Sequence, residues 1–263
     1  MSTHWADINA DKIIREKGEK ERYTCASGIT PSGTVHVGNF REIISVDLVV
    51  RALRDKGMDV RFLYSWDDYD VFRKVPATVS DREEYEQYLR WPITRVPDPE
   101  GKAASFARAN ELELEGQLER VGIVPEYIYQ AEQYQAATYA PSIRTALEKR
   151  DRIRGILNRF RTSPLPAEWW PVSVFSRFTN RDTTRVTDWD GAWALSYHCE
   201  ETGQDDTIDL RQSGQAKLPW RIDWPMRWAW EQVDFEPAGK DHHSEGGSFD
   251  TARHVATEIF GWE

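Results

Sequence analysis

Only two cysteines, Cys25 and Cys199, occur in 263 residues. A disulfide framework is therefore excluded, and a reducing, cytoplasmic compartment is the expectation. The chain has no run of about 18 apolar residues, so no membrane span is expected. Its first residues, MSTHWADINADK, have no apolar stretch of the kind a signal peptide needs. Internal repeats and low-complexity tracts are absent. Positive charge is in deficit: the formal net charge is −10. A chain of this sign does not bind nucleic acid through its overall field, so any RNA contact needs a local basic patch or a partner.

What is present suits a globular protein, with 40% hydrophobic and 30% charged residues. The twelve tryptophans concentrate between Trp169 and Trp230 and point to a locally aromatic core. Residues 3–17 have the spacing of a helix, with Gly18 as its stop. Residues 22–27 read as a buried strand, 37–56 as a long helix and 59–66 as a second strand. That is a β-α-β unit, and open α/β sheets bind ligands at the carboxyl edge of such strands. Residues 75–102 read as an irregular excursion. A helix over 103–121, a strand over 124–129 and a helical stretch over 136–161 interrupted at Pro141 follow. Residues 162–218 change character, with prolines, a tryptophan pair and β-like runs at 184–198 and 205–210. The α/β style returns in 219–263, ending in a helix from about Ser248 to Phe260.

The turn between the first strand and its helix, CASGITPSGTVHVGNFRE over residues 25–42, is the most informative stretch. Small residues let a ligand approach the backbone, and a helix N-terminus points free N–H groups at an anion. His36 and Asn39 are three apart and share a helix face. Gly38 between them carries no side chain that would block a ligand.

This turn resembles the HIGH signature of class I aminoacyl-tRNA synthetases. Together with WDDYDVFRKVP, WPITRVPDP, RIDWPMRW and FEPAGKDHH, it is similar to the class I lysyl-tRNA synthetase family. The blocks follow the family's order over almost the whole chain. The resemblance implies an α/β fold: a Rossmann-like, HUP-type parallel sheet with an inserted small α+β or β-rich connective region. On that basis residues 1–161 form the first half of the catalytic domain, 162–218 the insertion and 219–263 the second half. It further implies ATP-dependent activation of lysine to lysyl-adenylate and transfer to tRNA(Lys), with Mg2+ accompanying ATP.

The resemblance also assigns residues. His36 and Asn39 take the catalytic role, and Pro31, Ser32, Gly38, Gly239 and Asp241 join them around ATP. Gly28, Thr30, Asp67, Asp223, Trp224, Phe235 and His242 go to the amino acid. Chemically, an ammonium group calls for carboxylates and an aromatic face. Asp67, Asp68 and Asp70 follow the second strand and supply the former. Which of the three points inward stays open, as does a role in metal-bridged phosphate binding or as plain surface charge. Asp223 is expected to cap a helix with Trp224 and Pro225 in its first turn. A basic helical stretch, Arg144 to Arg161, either touches RNA phosphates or is a solvated face.

Two departures from the family pattern matter. Some relatives carry Cys/His-rich turns in the insertion; here only Cys199 beside His198 remains, too few ligands for a tetrahedral site. No structural zinc is expected, and hydrophobic packing is expected in its place. The KMSKS-like motif and the anticodon-binding domain are also missing from these residues. The expected function is thus a catalytic core of lysine–tRNA ligase, incomplete by itself. The alternatives are a truncated paralogue that activates an amino acid for a non-tRNA acceptor, or a non-catalytic lysine- or adenylate-binding protein. The oligomeric state is left open.

Overall fold

The computed structural model describes residues 4–243 and 246–263, with the backbone alone at Asp241. In chain order the elements are α1 (Trp5–Lys17), β1 (Tyr23–Ile29), α2 (Val37–Asp55), β2 (Val60–Trp66), the short α3 (Arg82–Tyr85), α4 (Phe106–Arg120) and β3 (Glu126–Tyr129). Then come α5 (Gln130–Gln135), α6 (Ala140–Glu148), α7 (Arg150–Asn158), β4 (Ser173–Val174), β5 (Thr184–Trp189), β6 (Ala194–Cys199) and β7 (Gln204–Asp209). The chain finishes with β8 (Ala216–Lys217), α8 (Trp220–Glu231) and α9 (Ser248–Val255), the last continued by a π turn over Ala256–Phe260.

β1, β2 and β3 form a parallel sheet in that order. An extended segment at Phe235 adds to the free edge of β1 through a parallel bridge to Cys25. The spatial order is therefore Phe235 segment, β1, β2, β3: strands are added in one direction from β1 to β3, and the chain then returns to the other side of β1. Side-chain alternation explains the layering. Val60, Phe62, Tyr64 and Trp66 of β2 pack on α1, α2 and α4, whereas Leu63 faces the opposite side with Ala26 and Ile128, under Trp224 and Trp228 of α8 and Ala252 of α9.

Strands β5, β6 and β7 form an antiparallel meander, and β4 pairs with β8. Their apolar faces share the largest buried cluster with α5, α6 and α7. Cys199 lies in that cluster with Phe175, Leu195 and Tyr197. Both cysteines are free and buried. Among the described residues no group of three His, Cys, Asp or Glu side chains is arranged to hold a metal ion. No helix among them is long and apolar enough to cross a membrane.

Two helix boundaries differ from the sequence expectation. Pro141 does not interrupt a helix over 136–161; it sits in the first turn of α6. A missing N–H is harmless there, so proline starts the helix rather than breaking it. The breaks fall before α6, where Ala137 takes a positive φ of 56°, and at Lys149. Likewise α8 begins at Trp220, with Pro219 at the N-cap, so Asp223 lies inside the helix and does not cap it.

Candidate active-site cleft

A cleft of about 1220 Å3 opens at the carboxyl ends of β1, β2 and the Phe235 segment. This is the switch point of an open parallel sheet, where diverging connections leave a crevice for ligands. Its floor is Gly28, Ile29 and Thr30, the end of β1. A Cβ on Gly28 would stand 2.7 Å from the Ser65 carbonyl oxygen, so glycine lets β1 lie close against β2. The close approach that the sequence reading gave to a ligand is thus taken up by a neighbouring strand.

One wall is acidic. Glu42 from α2, Asp67 and Asp70 beyond β2, and Glu236 beyond the Phe235 segment all line it. Asp67 accepts from Arg227 Nη1 at 2.6 Å, and Arg227 Nε stands 3.2 Å from Asp223 Oδ2. The Tyr134 hydroxyl donates to Asp223, which is 3% exposed and does not border the cleft. Burial opposes ionisation of Asp223, and Arg227 only partly offsets this, so its pKa is raised. Burial likewise opposes the charge on Arg227, yet Asp67 and Asp223 more than compensate and raise its pKa further.

Asp70 is held differently. Burial disfavours its charge, but Lys217 of β8, with help from Arg73 and the Thr30 hydroxyl, holds its carboxyl below the usual range. Asp68 points away from the cleft and accepts from the Ala131 N–H at 2.7 Å; burial pushes its pKa up to about 7. Two cleft carboxylates make no ion pair among the described residues, although Arg227 partly offsets the burial of one of them, Glu236. Glu42 is pushed up to about 7 by burial, then by Glu236 and Asp67. Burial also raises Glu236, which accepts from Trp228 Nε1 at 2.6 Å.

Aromatic rings close one side. Trp224 stacks on Trp220 with centroids 4.8 Å apart and 11° between planes, and both line the cleft. His242 stands 6.0 Å from Trp224, its Nδ1 2.6 Å from Ser248 Oγ. Arg73, Arg90, Arg161 and Arg221, with Phe160 and Trp169, also line the cleft.

The turn into α2 is built by capping. His36 is the N-cap; its Nδ1 accepts from the Gly38 N–H at 3.1 Å, and Asn39 Oδ1 accepts from the His36 N–H at 3.4 Å. A Cβ at Gly38 would lie 2.8 Å from the His36 ring, so this glycine makes room for the cap itself. Asn39 borders the cleft; His36 and Gly38 are exposed beside it. Pro31 is buried, with its carbonyl accepting from Asn110 Nδ2 at 3.4 Å, and Ser32 is exposed.

Thus Gly28, Thr30, Asn39, Asp67, Trp224 and His242 meet around one cleft. Asp223 lies behind its wall. Phe235 is turned to the α1–α2 core and to a separate groove, and Gly239 is exposed with nothing closer than 3.8 Å to its Cβ direction. The Asp241 side chain lies outside the described residues. Sequence reasoning missed Glu42, Glu236, Lys217 and Arg227. Glu42 was within reach, since it follows Asn39 by three residues on the helix. Glu236 follows Phe235 directly and so takes the other face of the extended segment.

The basic stretch in α6 and α7 is engaged within the chain. Arg144 pairs with Glu148 at 2.9 Å, Arg154 with Asp151 at 3.1 Å, and Arg152 and Arg159 with Glu258 at 3.2 and 3.4 Å. Arg150 lies 4.0 Å over the Trp170 ring.

The family model described as "tRNA synthetases class I (K)" matches residues 3–263. The chain belongs to the lysine-type class I tRNA synthetases. Within this family it is 58% identical to the lysine–tRNA ligase of Treponema pallidum (strain Nichols), over 99% of this chain and 50% of that protein. It is 49% identical to the lysine–tRNA ligase of Pyrococcus horikoshii, again over 99% of this chain and 50% of the relative. The synthetase chain thus spans about half the length of the curated relatives it matches. Among solved structures, an arginyl-tRNA synthetase described as putative, from Campylobacter jejuni, is similar at 14% identity and a TM-score of 0.42, covering 100% of this chain and 58% of that one.

Proposed function

We propose that this chain forms the part of a class I lysine–tRNA ligase that binds lysine and ATP and forms lysyl-adenylate. One observation carries the reading. At the switch point of the parallel sheet, a single cleft is lined by Glu42 and Glu236, which make no ion pair among the described residues, and by a stacked tryptophan pair, and it borders the N-terminus of α2. Carboxylates and an aromatic face suit an ammonium-bearing side chain. A helix N-terminus suits a phosphate. In this reading Asn39 and His36 serve the α-phosphate of ATP, whose transfer demands alignment and charge stabilisation rather than covalent help. Gly28, Thr30, Asp67, Trp224 and His242 surround the amino acid, and Gly239 and Asp241 serve the adenosine. Magnesium enters with ATP as part of the substrate complex. Transfer to tRNA(Lys) completes the reaction, in the cytoplasm that two unpaired cysteines favour.

Lysine-dependent exchange of pyrophosphate into ATP tests this, in a polypeptide extended to the relatives' length. Exchange driven by lysine and not by norleucine, which lacks the ammonium group, is the expected result. Exchange driven by another amino acid, or none with lysine, overturns it. Calorimetry of this chain with lysine is expected to show binding even where exchange is slow.

A further inference from the structure

Along and behind the acidic wall, carboxylates outnumber the cations that hold them. Asp67, Asp70 and Asp223 share two buried cations, Lys217 and Arg227. Lys217 pairs with Asp70, and Arg73 acts on the same carboxyl from an exposed position. Arg227 stands between two acids, 2.6 Å from Asp67 Oδ1 and 3.2 Å from Asp223 Oδ2. Asp70 thus has a cation to itself, whereas Asp67 divides one with Asp223. The side-chain hydrogen bonds to Asp67, from Arg227 and Ser65, both end on Oδ1 and leave Oδ2 without one among the described residues.

The contacts of Asp223 are those of a carboxylate. The Tyr134 hydroxyl accepts from the Leu218 N–H at 3.3 Å and turns its own proton to Asp223 Oδ1. The other oxygen lies beside the guanidinium. A proton on Asp223 would face one of these two donors. Burial works against the charge, and Arg227 and Lys217 work for it. With Asp223 ionised, the group of Asp67, Arg227 and Asp223 has negative charge in excess. Without that charge, Asp67 and Arg227 cancel, and an arriving ammonium meets as much repulsion as attraction. Buried charges are weakly screened, so the difference reaches the cleft. Asp223 itself does not border the cleft.

Resting on the reading of this cleft as a lysine site, we infer that Asp223 is a positioning residue that acts through Arg227: by taking up part of the guanidinium's charge from behind the wall, it keeps Asp67 anionic towards an ammonium group of the substrate. Tyr134 supports it by donating to Asp223. Neither residue touches lysine. The pairing of Lys217 with Asp70 lacks such a second acid, so the two cleft aspartates differ in what they offer a cation.

Asp223→Asn tests this, since it keeps the shape of the side chain and removes its charge. Calorimetry with lysine and, separately, with ATP is carried out on the polypeptide extended to the relatives' length. The Kd for lysine is expected to rise about tenfold, the scale of one weakly screened charge at short range. The Kd for ATP is expected to stay unchanged. Tyr134→Phe keeps the ring and removes the donor, and a smaller rise in the Kd for lysine, about threefold, is expected. An unchanged Kd for lysine in Asp223→Asn overturns the inference, as it does in Tyr134→Phe should the asparagine variant not fold. A parallel loss of lysine and ATP affinity also overturns it, because that marks a merely structural role. If the unsubstituted polypeptide binds no lysine, the reading of the cleft falls and this inference with it; if it binds lysine no better than Asp223→Asn does, the inference falls alone.

Discussion

The two sides of the cleft hold their polar groups by opposite means. The turn into α2 is exposed and locally determined: His36, Gly38 and Asn39 bond to one another within four residues. The wall beneath α8 is buried and long-range. Asp67 and Tyr134 come from separate parts of the chain to meet the Asp223–Arg227 pair of α8, and the Arg227 side chain is only 8% exposed. The difference teaches which side is preset. Buried ion pairs gain from the low dielectric only while every partner is present. The capped turn loses less when one member is removed, and it is free to exchange its local bonds for bonds to a phosphate.

The sharpest way to break the comparison is Arg227→Met. It leaves Asp67 and Asp223 without their shared cation, and stability is expected to fall by about 3–5 kcal/mol. Urea unfolding followed by tryptophan fluorescence measures it; a loss no larger than that of a turn variant would remove the distinction between the two sides. Gly28→Ala comes next. Its new Cβ meets backbone rather than a flexible side chain. A loss of about 1–3 kcal/mol is expected from the forced separation of β1 and β2, measured by the same unfolding curve.

Glu42→Gln acts in the opposite direction. Its folded pKa, about 7, lies above the ordinary value of 4.5, so the folded state binds the proton more tightly than the unfolded chain. Stability therefore falls as pH rises from about 4.5 to about 7, and the full penalty is present above that window. Removing the charge is expected to raise stability at pH 8 by about 1–2 kcal/mol and to leave it almost unchanged at pH 4. Thermal melts at the two pH values check the sign. In the same variant lysine affinity is expected to fall at pH 8, which calorimetry measures; unchanged affinity would detach Glu42 from the proposed substrate.

The smallest effect on stability is expected from His36→Ala, about 1 kcal/mol for the lost cap. Pyrophosphate exchange in the extended polypeptide is expected to drop far more, at least tenfold. A stability loss with undiminished exchange would reduce His36 to a capping residue.

Much of the scaffold was legible. The β-α-β unit, Gly18 after α1, and the β-like runs at 184–198 and 205–210 rest on local periodicity and on residues whose conformational limits act within a few positions. Pro141 misled because proline has two opposite meanings, and only its place at the start of α6 chose between them. The cleft was half legible. Gly28, Thr30, Asn39, Asp67, Trp224 and His242 stand in recognisable blocks and share the cleft. Lys217 sits in a two-residue strand with no motif around it, and its pairing with Asp70 spans 147 positions.

By itself, the sequence determined the parallel β-α-β start, the capped turn into α2 and the family to which the chain belongs. These follow from local spacing and from ordered blocks of residues. The tertiary structure alone decided the charge state of the cleft. Asp67 and Asp70 form ion pairs with Arg227 and Lys217, whereas among the described residues Glu42 and Glu236 form none and burial raises the pKa of both. The physical reason is that a carboxylate's charge depends on its burial and on the cations within a few ångströms. Both are properties of the folded chain that no spacing along it records.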